Sequence, residues 1–109
     1  MTVEQLIQAT SLKPICTPSP EREINGAYVG DLLSWVMGRA REDNAWITIM
    51  SNSNIIAVAT LADVSCIILA EGVTPDDGVT ETAKAKGVNL ISSQESAYEI
   101  AKRLSSLGL

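Results

Sequence analysis

The chain has 109 residues, 46% of them apolar and 19% charged, which fits one globular domain with a single core and not a disordered segment. Its net charge is −5, and the basic residues Lys13, Arg22, Arg39, Arg41, Lys84, Lys86, Lys102 and Arg103 are scattered rather than clustered. A chain without a positive stripe cannot neutralise a run of phosphates, so no nucleic-acid partner is expected.

Thr2 and Gln5 have the spacing of a capping box, and Val3, Leu6 and Ile7 share a face, which predicts an opening helix. Lys13 to Thr17 reads as a short strand, after which Pro18 and Pro20 force an irregular connection. Ala27 to Gly30 reads as a second short strand, ended by Gly30. Asp31 is expected to cap a helix over 32–39, with Leu32, Leu33, Val36 and Met37 on its apolar stripe and Trp35 opposite. Trp46 to Met50 is the clearest strand of the first half, and the polar loop Ser51-Asn52-Ser53-Asn54 follows it.

The β-branched residues between Ile55 and Ala62 suit a buried strand as well as a buried helix. A helix is chosen, because the strong strand Cys66 to Ala70 needs a crossover connection from Trp46–Met50. Thr74-Pro75-Asp76-Asp77 reads as a helix start, with Pro at the first helical position and acids in the first turn. Gly87 closes that helix and Val88 to Ile91 is the last strand. Ser92 or Ser93 is expected to cap a final helix whose stripe is Ala97, Ile100, Ala101, Leu104 and Leu107. The alternation of strands and helices predicts one α/β domain over 1–109: a mostly parallel sheet of four to five strands with helices on both faces.

The chemistry is bounded mainly by what is missing. There is no G-x-x-x-x-G-K-[ST] loop and no G-x-G-x-x-G fingerprint, and with no His neither a Ser–His triad nor an imidazole proton shuttle can be assembled. Carboxylates, lysines and thiols are not clustered, so no catalytic residue, cofactor or metal site is expected. Cys16 and Cys66 sit in apolar contexts and read as buried free thiols. Met1 to Ser11 lacks the pattern of a signal peptide, and no apolar run reaches the ~18 residues of a membrane span. A cytoplasmic location and no membrane contact are therefore expected.

A parallel sheet delivers the carboxyl ends of its strands to one rim, where ligands tend to bind. The candidates are Gly30 and Asp31, the loop Ser51, Asn52 and Asn54, the pair Glu71 and Gly72, and Ser92 with Ser93. Each precedes a predicted helix, whose free N–H groups and dipole favour an anion such as a nucleotide phosphate. Helix capping by Asp31, Asn54 and Ser92 explains each of them equally well when taken singly. Trp35, off the main stripe, marks either a subunit contact or a residue covered by another element.

The stretch Glu21-Arg-Glu-Ile-Asn-Gly-Ala-Tyr-Val-Gly-Asp-Leu-Leu-Ser-Trp-Val-Met-Gly38 resembles the DRTGG domain, a module similar to the N-terminal domain of HPr kinase/phosphorylase. The matching features are Glu21-Arg22, Gly26, Tyr28-Val29 and Asp31 to Gly38, followed by Trp46 to Ile49, Asn54 to Ala59 and Ile67 to Leu69. The defining pentapeptide is degenerate here, and the phosphate-binding loop of the kinase is absent, so the resemblance implies no kinase activity. It does imply an α/β fold, self-association and an accessory or regulatory role. Two functions stay open: a ligand-sensing domain for a small anion or nucleotide, and a homodimeric interaction subunit docking on a larger partner enzyme. A thiol- or carboxylate-dependent enzyme is a third and weaker reading.

Overall fold

In the computed structural model, which describes residues 1–109, the expected alternation is realised with five strands and five helices. Helix α1 (Val3–Ala9) and strand β1 (Lys13–Cys16) are followed by β2 (Gly26–Val29), α2 (Leu33–Arg39) and β3 (Asn44–Thr48). Then come α3 (Asn54–Ala62), β4 (Cys66–Leu69), α4 (Val79–Lys86), β5 (Leu90–Ser92) and α5 (Ala97–Ser106). The ambiguous segment after Asn54 is a helix.

The spatial order of the sheet is β1-β5-β4-β3-β2. Strands β2 to β5 are mutually parallel, and β1 closes the far edge antiparallel to β5, with Lys13 opposite Ser92. Each parallel strand lies beside its neighbour in sequence. Crossovers that always step the same way and keep the right-handed sense must all fall on one face. Helices α2, α3 and α4 do so.

The central strands β3 and β4 carry near-continuous apolar runs because both of their faces are covered. Alternate residues feed opposite cores. Trp46, Ile67, Leu69 and Leu90 join Val36, Ile55, Val79 and Ala83 on the crossover-helix face. Ala45, Ile47, Cys66, Ile68 and Ile91 meet Val3, Leu6, Ile100 and Leu104 from α1 and α5 on the other.

Local chemistry sets most element ends. The Thr2 hydroxyl accepts from the Gln5 N–H while the Gln5 side chain accepts from the Thr2 N–H, so the capping box at α1 is complete. Asp63, in the left-handed region at φ 55°, stops α3. Gly87, at φ 73°, stops α4, as expected. The start of α4 differs from the sequence reading: Thr74 to Asp77 are not helical, and the helix begins at Val79 after Gly78 at φ 84°. Asp76 explains the delay, since its carboxylate accepts from the Ser51 hydroxyl at 2.9 Å and its N–H donates to the Ser51 carbonyl at 3.0 Å. These bonds hold the segment to the loop after β3. Helix α2 also buries less than its stripe promised, with Val36 enclosed but Leu32 and Met37 exposed, because it packs at the sheet's β2 edge.

The amino-terminal edge of the parallel strands is held by residues of the Glu21–Gly26 stretch. The Arg22 guanidinium donates to the Asp43 carboxylate at 2.9 Å, the Asp63 carboxylate at 3.1 Å and the Asp63 carbonyl at 3.0 Å. Both aspartates have left-handed backbones just before β3 and just after α3. The two carboxylates hold Arg22 more firmly protonated, against the opposing effect of its partial burial. Asn25 bonds the Glu42 carbonyl and the Asn44 side chain, and the Ser65 hydroxyl donates to the Glu23 carbonyl. One short segment thereby ties β2, β3 and β4 together where they begin.

Candidate functional site at the carboxyl rim

The opposite rim gathers the carboxyl ends of β2 to β5. Because β1 runs antiparallel, it contributes its amino end, Lys13, to the same rim. All nine rim residues singled out in the sequence lie on this side, but their side chains do different work.

The Asp31 carboxylate accepts from the Thr48 hydroxyl at 2.8 Å and the Ile49 N–H at 3.0 Å. It is not the cap of α2, whose N-cap is Leu32 without a side-chain bond. Neighbouring strands lie about 4.8 Å apart, so a carboxylate after β2 reaches β3 as easily as its own helix. Beside it, the Gly30 carbonyl accepts from the Trp46 indole N–H at 2.9 Å. Asn54 does not cap α3 either; its N–H donates to the Asn52 side chain at 2.9 Å, and Ser53 occupies the N-cap position. For α5 the cap is Ser96, accepting from the Glu99 N–H, in place of Ser92 or Ser93.

The β4 end turns sharply. Glu71 and Gly72 both have positive φ, at 62° and 72°, and donate their N–H groups at 2.8 Å to the carbonyls of Glu95 and Ser93. A Cβ on Gly72 would lie 2.6 Å from the Gln94 side-chain oxygen, so glycine lets Gln94 pack flat against this turn.

Open space lies at the β4–β5–β1 part of the rim. One cleft of about 190 Å³ is lined by Ser11, Lys13, Ser92, Ser93, Gln94 and Glu95, with no apolar side chain among them. A second, of about 160 Å³, is lined by Ile15, Gly72, Val73, Thr74, Pro75 and again Ser92 and Gln94. The two clefts adjoin at Ser92 and Gln94, which line both, and together they are called the furrow. The Glu95 carboxylate is held by the Arg103 guanidinium at 2.7 and 2.8 Å, which keeps its pKa below the usual carboxylate value. Lys13 makes no ion pair and is the furrow's free charge.

The structure thus brings Gly72, Ser92 and Ser93 together at the furrow. Gly30, Asp31, Ser51, Asn52 and Asn54 sit elsewhere on the rim, and Glu71 supports the turn without lining the space. Ser11, Lys13, Ile15 and Gln94 were not visible as site residues in the sequence. The signal that finds them is the antiparallel partnership of β1 with β5, a fact of topology.

Two further surfaces stand out. A groove of about 330 Å³ between α3 and α4 is lined by Ile56, Ala57, Thr60, Leu61, Thr82, Lys86 and Ser53. At the β2 edge, Val29, Leu32, Trp35 and Ile49 are each about half exposed, and the Arg39 guanidinium lies 3.8 Å over the Trp35 ring. Both thiols are buried, and burial raises the pKa of Cys16 and pushes that of Cys66 up to about 12, which disfavours the thiolate.

Fold and rim together define a small mixed-sheet α/β domain with a polar furrow at the strand ends. Residues 18–107 match the DRTGG domain family, and the chain belongs to it. No protein in the curated sequences matches. Among solved structures, the chain is similar to the crystal structure of the CBS and DRTGG domains of the regulatory region of Clostridium perfringens pyrophosphatase, complexed with its activator diadenosine tetraphosphate. The TM-score is 0.67 at 18% identity, and the match covers 94% of this chain and 45% of that one. The chain therefore spans less than half the length of that chain, and the likeness shows a common fold.

Proposed function

We propose that this chain is a non-catalytic regulatory domain that binds a small anion or nucleotide at its carboxyl rim. The observation that carries this reading is the furrow, an open space lined by an unpaired lysine, three serines and a glutamine. Its family membership supports the reading, as does the nucleotide activator bound by a regulatory region of the same fold. The absence of His and of reactive thiols argues against catalysis by these residues.

A thermal-shift screen over nucleotides, including diadenosine tetraphosphate, and over phosphorylated metabolites tests this. A ligand at 100 times its Kd adds about 2.7 kcal/mol, a rise in Tm of roughly 10 °C for a domain of this size. No rise with any of them at millimolar concentration would sink the proposal.

A second reading, a homodimeric interaction subunit for a partner enzyme, is favoured by the β2 edge. That strand, Gly-Ala-Tyr-Val, has one uncovered side and carries no charge or proline to discourage pairing. The half-exposed Leu32, Trp35, Val29 and Ile49 surround it. This reading predicts a dimeric mass in solution for the wild type and a shift toward monomer for Trp35→Ala. Monomers in both cases would exclude self-association through this surface.

A further inference from the structure

We propose that the rim furrow takes a phosphomonoester: the phosphoryl group sits at Lys13, and the less polar remainder lies against Val73 and Pro75. This rests on the ligand-binding reading above and assigns the ligand class, its orientation and four residues that reading did not contain.

The two halves of the furrow differ in chemistry. Around Lys13 the lining is entirely polar, with the hydroxyls of Ser11 and Ser93 available as donors, while that of Ser92 points to the Lys13 carbonyl at 3.5 Å. Lys13 is also the only cation lining either half. A tetrahedral oxyanion is matched by one ammonium and several hydroxyl donors around it. Glu95, the carboxylate in the same wall, does not compete strongly, because both of its oxygens are engaged by Arg103.

Beyond Ser92 and Gln94 the wall changes. Ile15, Val73 and Pro75 supply apolar surface, and Thr74 supplies a hydroxyl. Gln94 lines both halves, and its amide lies where a Cβ on Gly72 would be. An amide at that point can bond the ester oxygen or a neighbouring hydroxyl of the ligand. A site built this way selects a molecule with one charged end and one less polar end.

Size and charge also set a limit. Clefts of about 190 and 160 Å³ accommodate a sugar phosphate or a mononucleotide. A single lysine does not balance a polyphosphate chain. A dinucleotide tetraphosphate is therefore not a ligand that this furrow alone can hold.

The test is a calorimetric or ¹⁵N-NMR titration of the intact chain with inorganic phosphate, adenosine, adenosine 5′-monophosphate and a hexose 6-phosphate. Wild type, Lys13→Ala and Val73→Asp are compared; both changes lie at the surface of the furrow, and unchanged amide spectra away from it confirm the fold. The better of the two phosphomonoesters is expected to bind at least tenfold more tightly than inorganic phosphate, and the pair shows whether the remainder is a nucleoside or a sugar. Lys13→Ala is expected to weaken phosphate and phosphomonoester by about tenfold each. Val73→Asp is expected to weaken only the phosphomonoester. Equal affinity for phosphate and phosphomonoester, or binding that survives Lys13→Ala unchanged, overturns the assignment while leaving a ligand-binding domain standing. Failure of every anion to bind the wild type overturns both.

Discussion

Trp46→Ala is expected to lower the free energy of unfolding by about 3–5 kcal/mol, the largest effect of any single truncation in this chain. The indole is fully buried on β3 at the middle of the crossover-helix core, among Val36, Ile67 and Leu69. The chain has no Phe, and the other ring at this core, Tyr28 opposite Trp46 on β2, is only partly buried at its margin. Truncation also leaves the Gly30 carbonyl without its indole donor, right at the turn between β2 and α2. A domain of this size has about 5–15 kcal/mol in total, so the variant would be marginal at 37 °C. Urea denaturation measures the loss, with Trp46→Phe as the companion that keeps an aromatic ring but removes the hydrogen bond and part of the indole's volume. A loss below about 1 kcal/mol for Trp46→Ala would mean that the core re-forms without the ring.

Arg22→Ala is expected to cost about 2 kcal/mol and to lower Tm by roughly 10 °C. Exposed ion pairs contribute little, at most about 1 kcal/mol each, and buried ones broken on one side cost about 3–5 kcal/mol. Arg22 lies between these limits: its side chain is 30% exposed, and its partners Asp43 and Asp63 are 38% and 56% exposed. Three charge-assisted bonds from one guanidinium nevertheless fix two left-handed aspartates, so their loss frees two loops together. Arg22→Lys tests the geometry, since an ammonium cannot reproduce the planar fork; it should recover less than half of the loss. A Tm within about 2 °C of wild type for Arg22→Ala would show that the bonds contribute nothing net.

The location of this arginine bears on how the family signature is read. Arg22 and Gly26 lie at the amino-terminal edge, away from the carboxyl rim, and the bonds of Arg22 and Asn25 go to the backbone and side chains of the strand-entry loops. The motif that identifies the family is thus a clamp on the sheet. Sequence reasoning found the motif without finding its task, because Asp43 and Asp63 are distant in sequence and join Arg22 only after the strands have aligned.

The fold itself was largely legible, for a physical reason: β3, β4 and β5 are apolar runs too short for helices, separated by segments long enough to cross over. The assignment of Ile55–Ala62 as a helix followed from that need. The rim was less legible. Short polar residues before a helix usually cap it, yet Asp31 bonds across to β3, and Asn52 takes the bond expected near Asn54. The proline and acids from Thr74 to Asp77 have the composition of a helix start, but Asp76 is committed to Ser51 instead. In each case a partner from another strand outcompeted the local one, and no local pattern records that. Lys13 escaped notice because the rule for parallel sheets counts carboxyl ends, whereas β1 points the other way.

That reversed strand also orders events during synthesis. Lys13 and Ser92 face each other across 79 positions of sequence, so β1 is made well before β5, the strand beside it in the sheet. The β2–β3–β4 ladder joins successive strands and can assemble as the chain grows, while the β1 pairing pays the loop-closure entropy of nearly the whole domain. The wall holding Lys13 and Ile15 is consequently the last part of the molecule to be built. A chain halted before Leu90 has no neighbour for β1, and no furrow.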